Sequence, residues 1–274
     1  MGMTGWHLGE SYDFHGQAVR YGVIGSGSPM VLVHGTPFSS YVWHRIVPYL
    51  VKRHAVHFYD LLGYGQSDMR DGQDVSLAVQ NELLAELLVY WGLDRPDIVG
   101  HDIGGTIALR THLLNGREYR NLILIDPVAL APWCLGLDQT IRGHEGAFSS
   151  VSPTIHAAIV STYIRQAIRR TIPDDELAPY LQPWLGDVGQ AAFYRQMSQC
   201  DMRFTDEIEA RYDEVRCPTF ILWGEEDRWL PIEQGRRLKA LIPSAELRPV
   251  AGAGHLVQED APEAIVATLL DAIG

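Results

Sequence analysis

A short glycine-framed segment, Gly100-His101-Asp102-Ile103-Gly104-Gly105, follows the apolar run Asp97-Ile98-Val99 and precedes a helical pattern over Thr106 to Leu114. Glycines two residues before and two residues after a central residue permit a sharp strand-to-helix turn. Such a turn lifts the central side chain over a sheet and sets the next backbone N–H groups at a helix N-terminus. The lifted residue here is Asp102. A carboxylate attacks esters and amides unproductively, because acyl exchange yields an anhydride. It is well suited to displacing a leaving group from sp³ carbon, which makes an alkyl ester of Asp102 that water must then hydrolyse.

The surrounding elements are those that would hold such a turn. Tyr12 to Ile24 alternates around a turn at Gly16 and reads as a hairpin. Short, largely apolar runs at Met30 to Val33, Val56 to Tyr59, Leu122 to Ile125 and Pro218 to Trp223 read as strands, as does Glu246 to Val250. Helical patterns lie between them, at Val42 to Leu50, Val75 to Trp91, Ile232 to Leu241 and Ala261 to Ile273. Strands alternating with helices imply an α/β protein with a mostly parallel sheet covered on both faces. Between Pro127 and Arg216 the alternation stops, leaving helical stretches at His156 to Arg170 and Gln190 to Met202. Residues 1–126 and 216–274 are therefore expected to form the core, and 127–215 an inserted helical cap. An insertion at a strand end would cover the crevice where open α/β sheets bind ligands.

On these segments the chain resembles the α/β-hydrolase superfamily, and in particular its aspartate-nucleophile branch of epoxide hydrolases and haloalkane and haloacetate dehalogenases. His34-Gly35-Thr36-Pro37 is similar to the oxyanion-loop H-G-x-P. Asp60 with Gly63-Tyr64-Gly65-Gln66-Ser67 is similar to D-x-x-G-x-G-x-S. Trp223-Gly224-Glu225-Glu226-Asp227 resembles the strand end that supplies the acid, and Gly252-Ala253-Gly254-His255 the loop that carries the base. The resemblance covers nearly the whole chain. It implies Asp102 as nucleophile, His255 as base and Asp227 as the acid that orients it, with Glu225, Glu226 and Asp126 as rivals for the last role. The backbone N–H groups of Thr36 and Ile103 would form the oxyanion hole. His34 and His101 read as braces of the two loops.

The leaving group divides the branch. Haloalkane dehalogenases typically carry Trp directly after the nucleophile, where this chain has Ile103; haloacetate dehalogenases carry Arg one and four residues after it, where this chain has Ile103 and Thr106. Phe193-Tyr194-Arg195-Gln196 resembles the W-Y-R segment whose tyrosine assists epoxide opening, so Tyr194 is the expected leaving-group donor. The usual second cap tyrosine would fall near Phe148, and Tyr163 is a substitute. The resemblance thus implies an epoxide hydrolase-like enzyme. The alternatives are a dehalogenase with atypical halide donors and a non-catalytic ligand-binding or receptor protein on the same fold. Trp133, Phe148, Tyr163 and Phe193 are expected to line an apolar pocket for a small organic substrate, with water as second reactant and no cofactor or metal.

Composition limits the other classes. With 22 Lys+Arg against 34 Asp+Glu the formal charge is −12, which disfavours nucleic acid as a partner. A hydrophobic content of 46% with 20% charged residues is globular rather than disordered. No apolar run has the length of a membrane span, and Met1 to Asp13 carries no basic-then-apolar leader pattern. Cys134, Cys200 and Cys217 form no CxxC pair, and so few cysteines fit a cytoplasmic location. Gly25-Ser26-Gly27-Ser28-Pro29 precedes a strand, not a helix, and is not a dinucleotide loop. Nothing in the periodicity specifies an oligomer.

Overall fold

The computed structural model describes residues 6–273, so residues 1–5 of the segment read for a leader, and the terminal residue of the core range, fall outside it. The strands are β1 (Glu10–Phe14), β2 (Gln17–Gly25), β3 (Ser28–Val33), β4 (His54–Tyr59), β5 (Asp97–His101), β6 (Asn121–Ile125), β7 (Thr219–Gly224) and β8 (Ala245–Val250). They make one sheet in the order β1-β2-β4-β3-β5-β6-β7-β8. The pairs β1–β2 and β2–β4 are antiparallel, and all pairs from β4–β3 to β7–β8 are parallel. β5 and β6 are buried at every position, as strands covered on both faces must be. This is the expected α/β architecture.

The order decides where the site can be. From β3 the chain steps to β4 on one side and then to β5 on the other, so the sheet reverses direction between β3 and β5. Val33 pairs with Gly100 in that ladder. The segments leaving the two strands, His34 to Thr36 and Asp102 onward, therefore emerge side by side at the carboxyl ends. A crevice at such a switch point is where this class of sheet binds ligands.

The helices are α1 (Val47–Leu50), α2 (Leu77–Tyr90), α3 (Ile103–Asn115), α4 (Leu137–Ser149), α5 (Pro153–Gln166), α6 (Asp174–Leu181), α7 (Gly186–Ser198), α8 (Arg203–Glu209), α9 (Ile232–Leu241), α10 (Val257–Asp260) and α11 (Pro262–Ile273). The pattern over Val42 to Leu50 is broken into a 3₁₀ turn at Ser40–Trp43 and the single turn α1. Pro48 is the reason: it has no N–H to give to the carbonyl four residues back, and its ring crowds that turn. α3 begins at Ile103, directly after the elbow residue, rather than at Thr106. Helix α4 gives little signal in the sequence because only Ile141 of its residues is buried. Within the inserted stretch α8 rests on α3: Arg110 donates to the Phe204 carbonyl (2.7 Å) and pairs with Glu207. None of the described helices is long and apolar enough to cross a membrane.

The stretch after α5 is tied to the segment that follows His255. The Asp260 carboxylate accepts the backbone N–H groups of Arg169 (2.8 Å) and Gly254 (2.9 Å), and Leu256 N–H donates to the Ala167 carbonyl (2.8 Å). The buried Glu259 carboxylate accepts from Tyr180 Oη (2.6 Å), Arg45 (3.2 Å) and Arg170. Burial pushes this carboxyl up, but the Arg170 and Tyr180 bonds outweigh it and hold Glu259 below its ordinary range. A carboxyl with a depressed folded pKa stabilises above its unfolded value and loses that contribution as pH falls through the folded one. Glu259→Gln is expected to cost about 3 kcal/mol at neutral pH, since it leaves Arg170 facing a neutral amide in a mostly buried site. Urea unfolding should show the deficit shrinking below about pH 4. An unchanged midpoint at pH 7 would mean the clamp contributes nothing.

Candidate active site

The glycines act through close approach. A Cβ on Gly100 would stand 2.6 Å from the Gly104 carbonyl oxygen, and one on Gly104 would stand 2.3 Å from the Val33 carbonyl oxygen. Only bare backbones allow β3, β5 and the start of α3 to come this near. The turn they permit leaves Asp102 at φ 54°, ψ −124°, a conformation that costs a non-glycine residue about 1–3 kcal/mol. The surrounding lattice holds it: Asp102 N–H donates to Ile125 O (3.1 Å), and its carbonyl accepts from Gly105 (3.0 Å) and Val128 (3.1 Å).

The two carboxylate oxygens of Asp102 have different surroundings. Oδ1 accepts the Thr36 backbone N–H at 2.8 Å, and Oδ2 lies 3.4 Å from His255 Nε2. Ile103 is the first residue of α3, so its N–H has no partner within the helix. His255 Nδ1 donates to Asp227 Oδ2 at 2.8 Å, with both side chains wholly buried. Asp227 Oδ1 is held by the N–H groups of Trp229 (2.7 Å) and Leu230 (3.0 Å). Burial alone would push the His255 imidazole down, but the Asp227 and Asp102 carboxylates outweigh it, and the net direction is well upward. The two carboxylates thus favour the protonated form of the imidazole against its burial.

Asp126 stands behind this pair rather than on the histidine. Its Oδ1 accepts the Gly224 N–H (2.9 Å) and its Oδ2 has no partner among the described residues. Burial, and then the neighbouring Asp227 charge, push its carboxyl well up. The braces are neutral. His34 Nε2 accepts the Leu61 N–H (2.9 Å), which leaves Nδ1 to donate to the Gly35 carbonyl (2.9 Å). His101 donates from Nε2 to the His255 carbonyl (3.0 Å), and burial followed by the His255 charge pushes its imidazole down to about 3. Asp60 accepts the backbone N–H groups of Ser40 and Gln66, both at 2.7 Å, so the D-x-x-G-x-G-x-S loop is scaffold.

A cavity of about 830 Å³ opens over Asp102 between the strand ends and the cap, within the usual size for a small-molecule site. Of the residues read from the sequence as pocket-lining, Trp133 and Tyr163 are on its wall, together with Ile103, Leu137, Ile159 and Trp229. The Trp229 ring sits 4.7 Å from His255 and 4.6 Å from Tyr163, bridging base and cap.

Three expected site residues are elsewhere. Tyr194, Phe193 and Phe148 are not on the cavity wall. Tyr194 and Phe193 are fully buried in the cap interior, and Phe148 packs on Tyr194 with ring centroids 5.7 Å apart. His156 Nε2 donates to the Trp184 carbonyl (2.8 Å), so its Nδ1 is the acceptor for the Tyr194 hydroxyl (3.0 Å). That phenolic proton is committed away from Asp102. The residue of this segment that approaches the site is Gln196, about 200° further around α7 than Tyr194. Tyr194→Phe is accordingly expected to leave turnover within about twofold while costing about 1 kcal/mol of stability. Tyr163→Phe, which removes a hydroxyl bonded to Asp138 on the cavity wall, should cost turnover at least about tenfold. Parallel rate and melting measurements on both variants test this assignment; a larger rate loss in Tyr194→Phe would reverse it.

Two residues with no sequence signal also reach the site. Asp138, in the first turn of the weakly marked α4, accepts the Tyr163 hydroxyl at 2.9 Å. Gln196 Oε1 accepts the hydroxyls of Tyr64 (3.1 Å) and Thr36 (2.5 Å). Cys134 and Cys200, far apart in sequence, converge beside Asp138, with their ligand atoms and its carboxylate within 4.8 Å of one another. This donor set would suit a thiophilic cation such as Zn²⁺. Burial pushes the Cys200 thiol well up, so without a cation it is protonated.

A glycine-framed elbow carrying Asp102, the Asp102–His255–Asp227 row and a crevice at the switch point of the sheet are the arrangement of an α/β hydrolase. Residues 30–268 match the alpha/beta hydrolase family, and the chain belongs to that family. Among curated relatives, it is 29% identical to the 2-hydroxy-6-oxo-2,4-heptadienoate hydrolase of Pseudomonas putida, covering 86% of this chain and 85% of that one. It is 25% identical to haloalkane dehalogenase 2 of Mycobacterium tuberculosis, over 96% of this chain and 94% of that one. A crystal structure of an alpha/beta hydrolase fold protein from Burkholderia ambifaria superposes with a TM-score of 0.94 at 50% identity, covering 97% of this chain and 98% of the other.

Proposed function

We propose that the chain is a hydrolase that opens a small, largely apolar epoxide through a covalent ester on Asp102. The observation that carries this reading is the split environment of the Asp102 carboxylate. One oxygen is bound by the Thr36 N–H, and the other, beside His255, borders the cavity. In the first step Asp102 Oδ2 forms a bond to an epoxide carbon as the C–O bond breaks, and the electron pair stays on the departing oxygen. In the second, His255 takes a proton from water, and the hydroxide adds to Cγ of the ester. The Oδ1 oxyanion is stabilised by the N–H groups of Thr36 and Ile103. Collapse expels the ester oxygen, which takes the His255 proton, and the carboxyl proton left on Asp102 passes to the oxygen freed in the first step, so epoxide and water give the diol and Asp102 returns to its anion. These steps need only water and side chains.

Asp227 supports the base role by fixing the Nδ1 tautomer, so that Nε2 faces Asp102. Within this reading the cap residue assigned to the departing oxygen is Tyr163, which lines the cavity, in place of Tyr194, which does not. Displacement of halide is the second reading. It is favoured by the dehalogenase relative matching nearly the whole chain, and weakened by Ile103 in place of an indole N–H donor.

The test is peptide mass spectrometry of His255→Ala after incubation with styrene oxide and with 1-bromobutane. An adduct on the Asp102 peptide carrying the whole mass of the epoxide is the expected result. An adduct equal to the haloalkane less HBr, with none from the epoxide, would transfer the assignment to the dehalogenase reading. Tight binding of substrate analogues with no product from the wild type would move the protein to the non-catalytic class.

A further inference from the structure

Two thiols and a carboxylate meet on the wall of the main cavity. Cys134 lies in the segment after β6, Asp138 in the first turn of α4, and Cys200 just past the C-terminus of α7. All three are half-buried and line the cavity that holds Asp102, and their ligand atoms lie within 4.8 Å of one another. The set is fastened from both sides of Cys200. Ser198 Oγ donates to Glu145 of α4 at 2.6 Å, and Arg142 of α4 donates to Asp201 at 2.7 Å. The end of α7 is thereby tied to the helix that carries Asp138.

From this convergence we infer that Cys134, Asp138 and Cys200 bind one thiophilic divalent cation, with Zn²⁺ the ion best matched to two sulfurs and a carboxylate oxygen. A tetrahedral Zn²⁺ with bonds of about 2.0–2.3 Å sets its ligand atoms about 3.5–3.8 Å apart, so the set closes around it with shifts of about 1 Å. Coordination makes two Zn–S bonds and one Zn–O bond and releases the two thiol protons to solvent. The fourth position opens on the cavity, where water or a donor atom of a bound molecule completes the shell. This binding is independent of how Asp102 reacts.

Asp138 is what separates a cation site from a mere pair of thiols, since two cysteines that only formed a disulfide would need no carboxylate beside them. Its side-chain hydrogen bond among the described residues is the one from the Tyr163 hydroxyl, 2.9 Å from Oδ1, and no described Lys or Arg forms an ion pair with it. Arg228 shares the cavity wall without pairing with it. A half-buried carboxylate with no cationic neighbour is an arrangement that a bound cation relieves. Tyr163 supplies the outer bond that orients a ligating carboxylate. The third thiol, Cys217, is buried at the approach to β7 and lies outside the cluster.

The test takes the full chain, reduced and stripped of metal with a chelator, and titrates it with Co²⁺ and then Zn²⁺. The expected result is one Co²⁺ per chain, with the near-ultraviolet absorption of thiolate-to-cobalt charge transfer, displaced by equimolar Zn²⁺. Cys134→Ser and Cys200→Ser should each diminish that band and weaken binding at least about 100-fold, more than loss of an outer-shell partner costs. Asp138→Asn should weaken binding by at least about 100-fold and keep the thiolate band, and Tyr163→Phe should weaken it about tenfold. Cobalt bound without the charge-transfer band overturns the inference, as does Zn²⁺ held equally by the Cys134→Ser/Cys200→Ser double variant, because histidines or carboxylates elsewhere then hold the ion. A reduced wild type that binds neither metal overturns it too, including one whose Cys134 and Cys200 have joined in a disulfide that the reductant does not open. The wild-type spectrum and stoichiometry decide by themselves if a variant fails to fold.

Discussion

Asp102→Ala should lose turnover by at least about 10⁴-fold, the scale seen when a covalent nucleophile is removed from a machinery that acts as a unit. The reason is geometric as well as chemical. Asp102 alone sits on the strained elbow with one oxygen fixed by Thr36 N–H and the other opposite His255 Nε2. No other described carboxylate has this pair of contacts: Asp227 is engaged by Trp229, Leu230 and His255, and Asp126 is backed against β7. The variant should also shift its stability profile. The Asp102 charge helps keep the His255 pKa above its ordinary value. A raised folded pKa stabilises below the unfolded value, about 6.5, and that contribution disappears as pH rises through the folded pKa. Removing Asp102 should therefore cost more stability at pH 5–6 than at higher pH. Steady-state turnover of styrene oxide, alongside melting curves at two pH values, reads both effects. Product formation by Asp102→Ala at the wild-type rate would falsify the covalent mechanism outright.

His255→Ala should divide the two chemical steps. Displacement at carbon requires the Asp102 anion and the cavity, and both survive the change. Hydrolysis of the ester requires a base at the position of Nε2, and loss of a positioned general base costs about 10²–10⁴-fold. A stoichiometric burst followed by near-arrest is expected in rapid-quench experiments, with the ester accumulating on Asp102. The wild type carries a further consequence. In the free chain the Asp227 and Asp102 carboxylates hold the His255 imidazole pKa up against burial. Alkylation turns Asp102 into a neutral ester and removes one of the charges that raise the imidazole pKa, while burial continues to lower it. The lowered pKa favours the neutral imidazole, the form that can accept a proton from water, at the step where a base is needed. The hydrolytic step should quicken with rising pH, as the neutral imidazole becomes the prevailing form. A His255→Ala variant that turns over at the wild-type rate, with no accumulated ester, would remove the histidine from the mechanism.

The sequence by itself determined the frame. The G-x-D-x-G spacing placed a carboxylate on the elbow because only glycine permits the Gly100 and Gly104 approaches. Continuous apolar runs at β5 and β6 announced strands covered on both faces. The loops ending in Asp227 and His255 were legible because each follows a strand whose burial pattern is local. Only the tertiary structure decided which cap side chains face the reaction. A helix presents successive residues about 100° apart, so Tyr194 and Gln196, two positions apart, point to opposite sides, and sequence alone does not say which side is inward. The one that faces inward is Gln196; Tyr194 spends its proton on His156. Asp138 lay in a helix with one buried residue, which leaves almost no periodicity to read. Cys134 and Cys200 looked isolated because 65 intervening residues separate them, and the cap folds back to bring them together. Backbone turns and strand runs are set by neighbours in sequence; the polarity of an enclosed site is set by residues that meet only after the chain has closed over it.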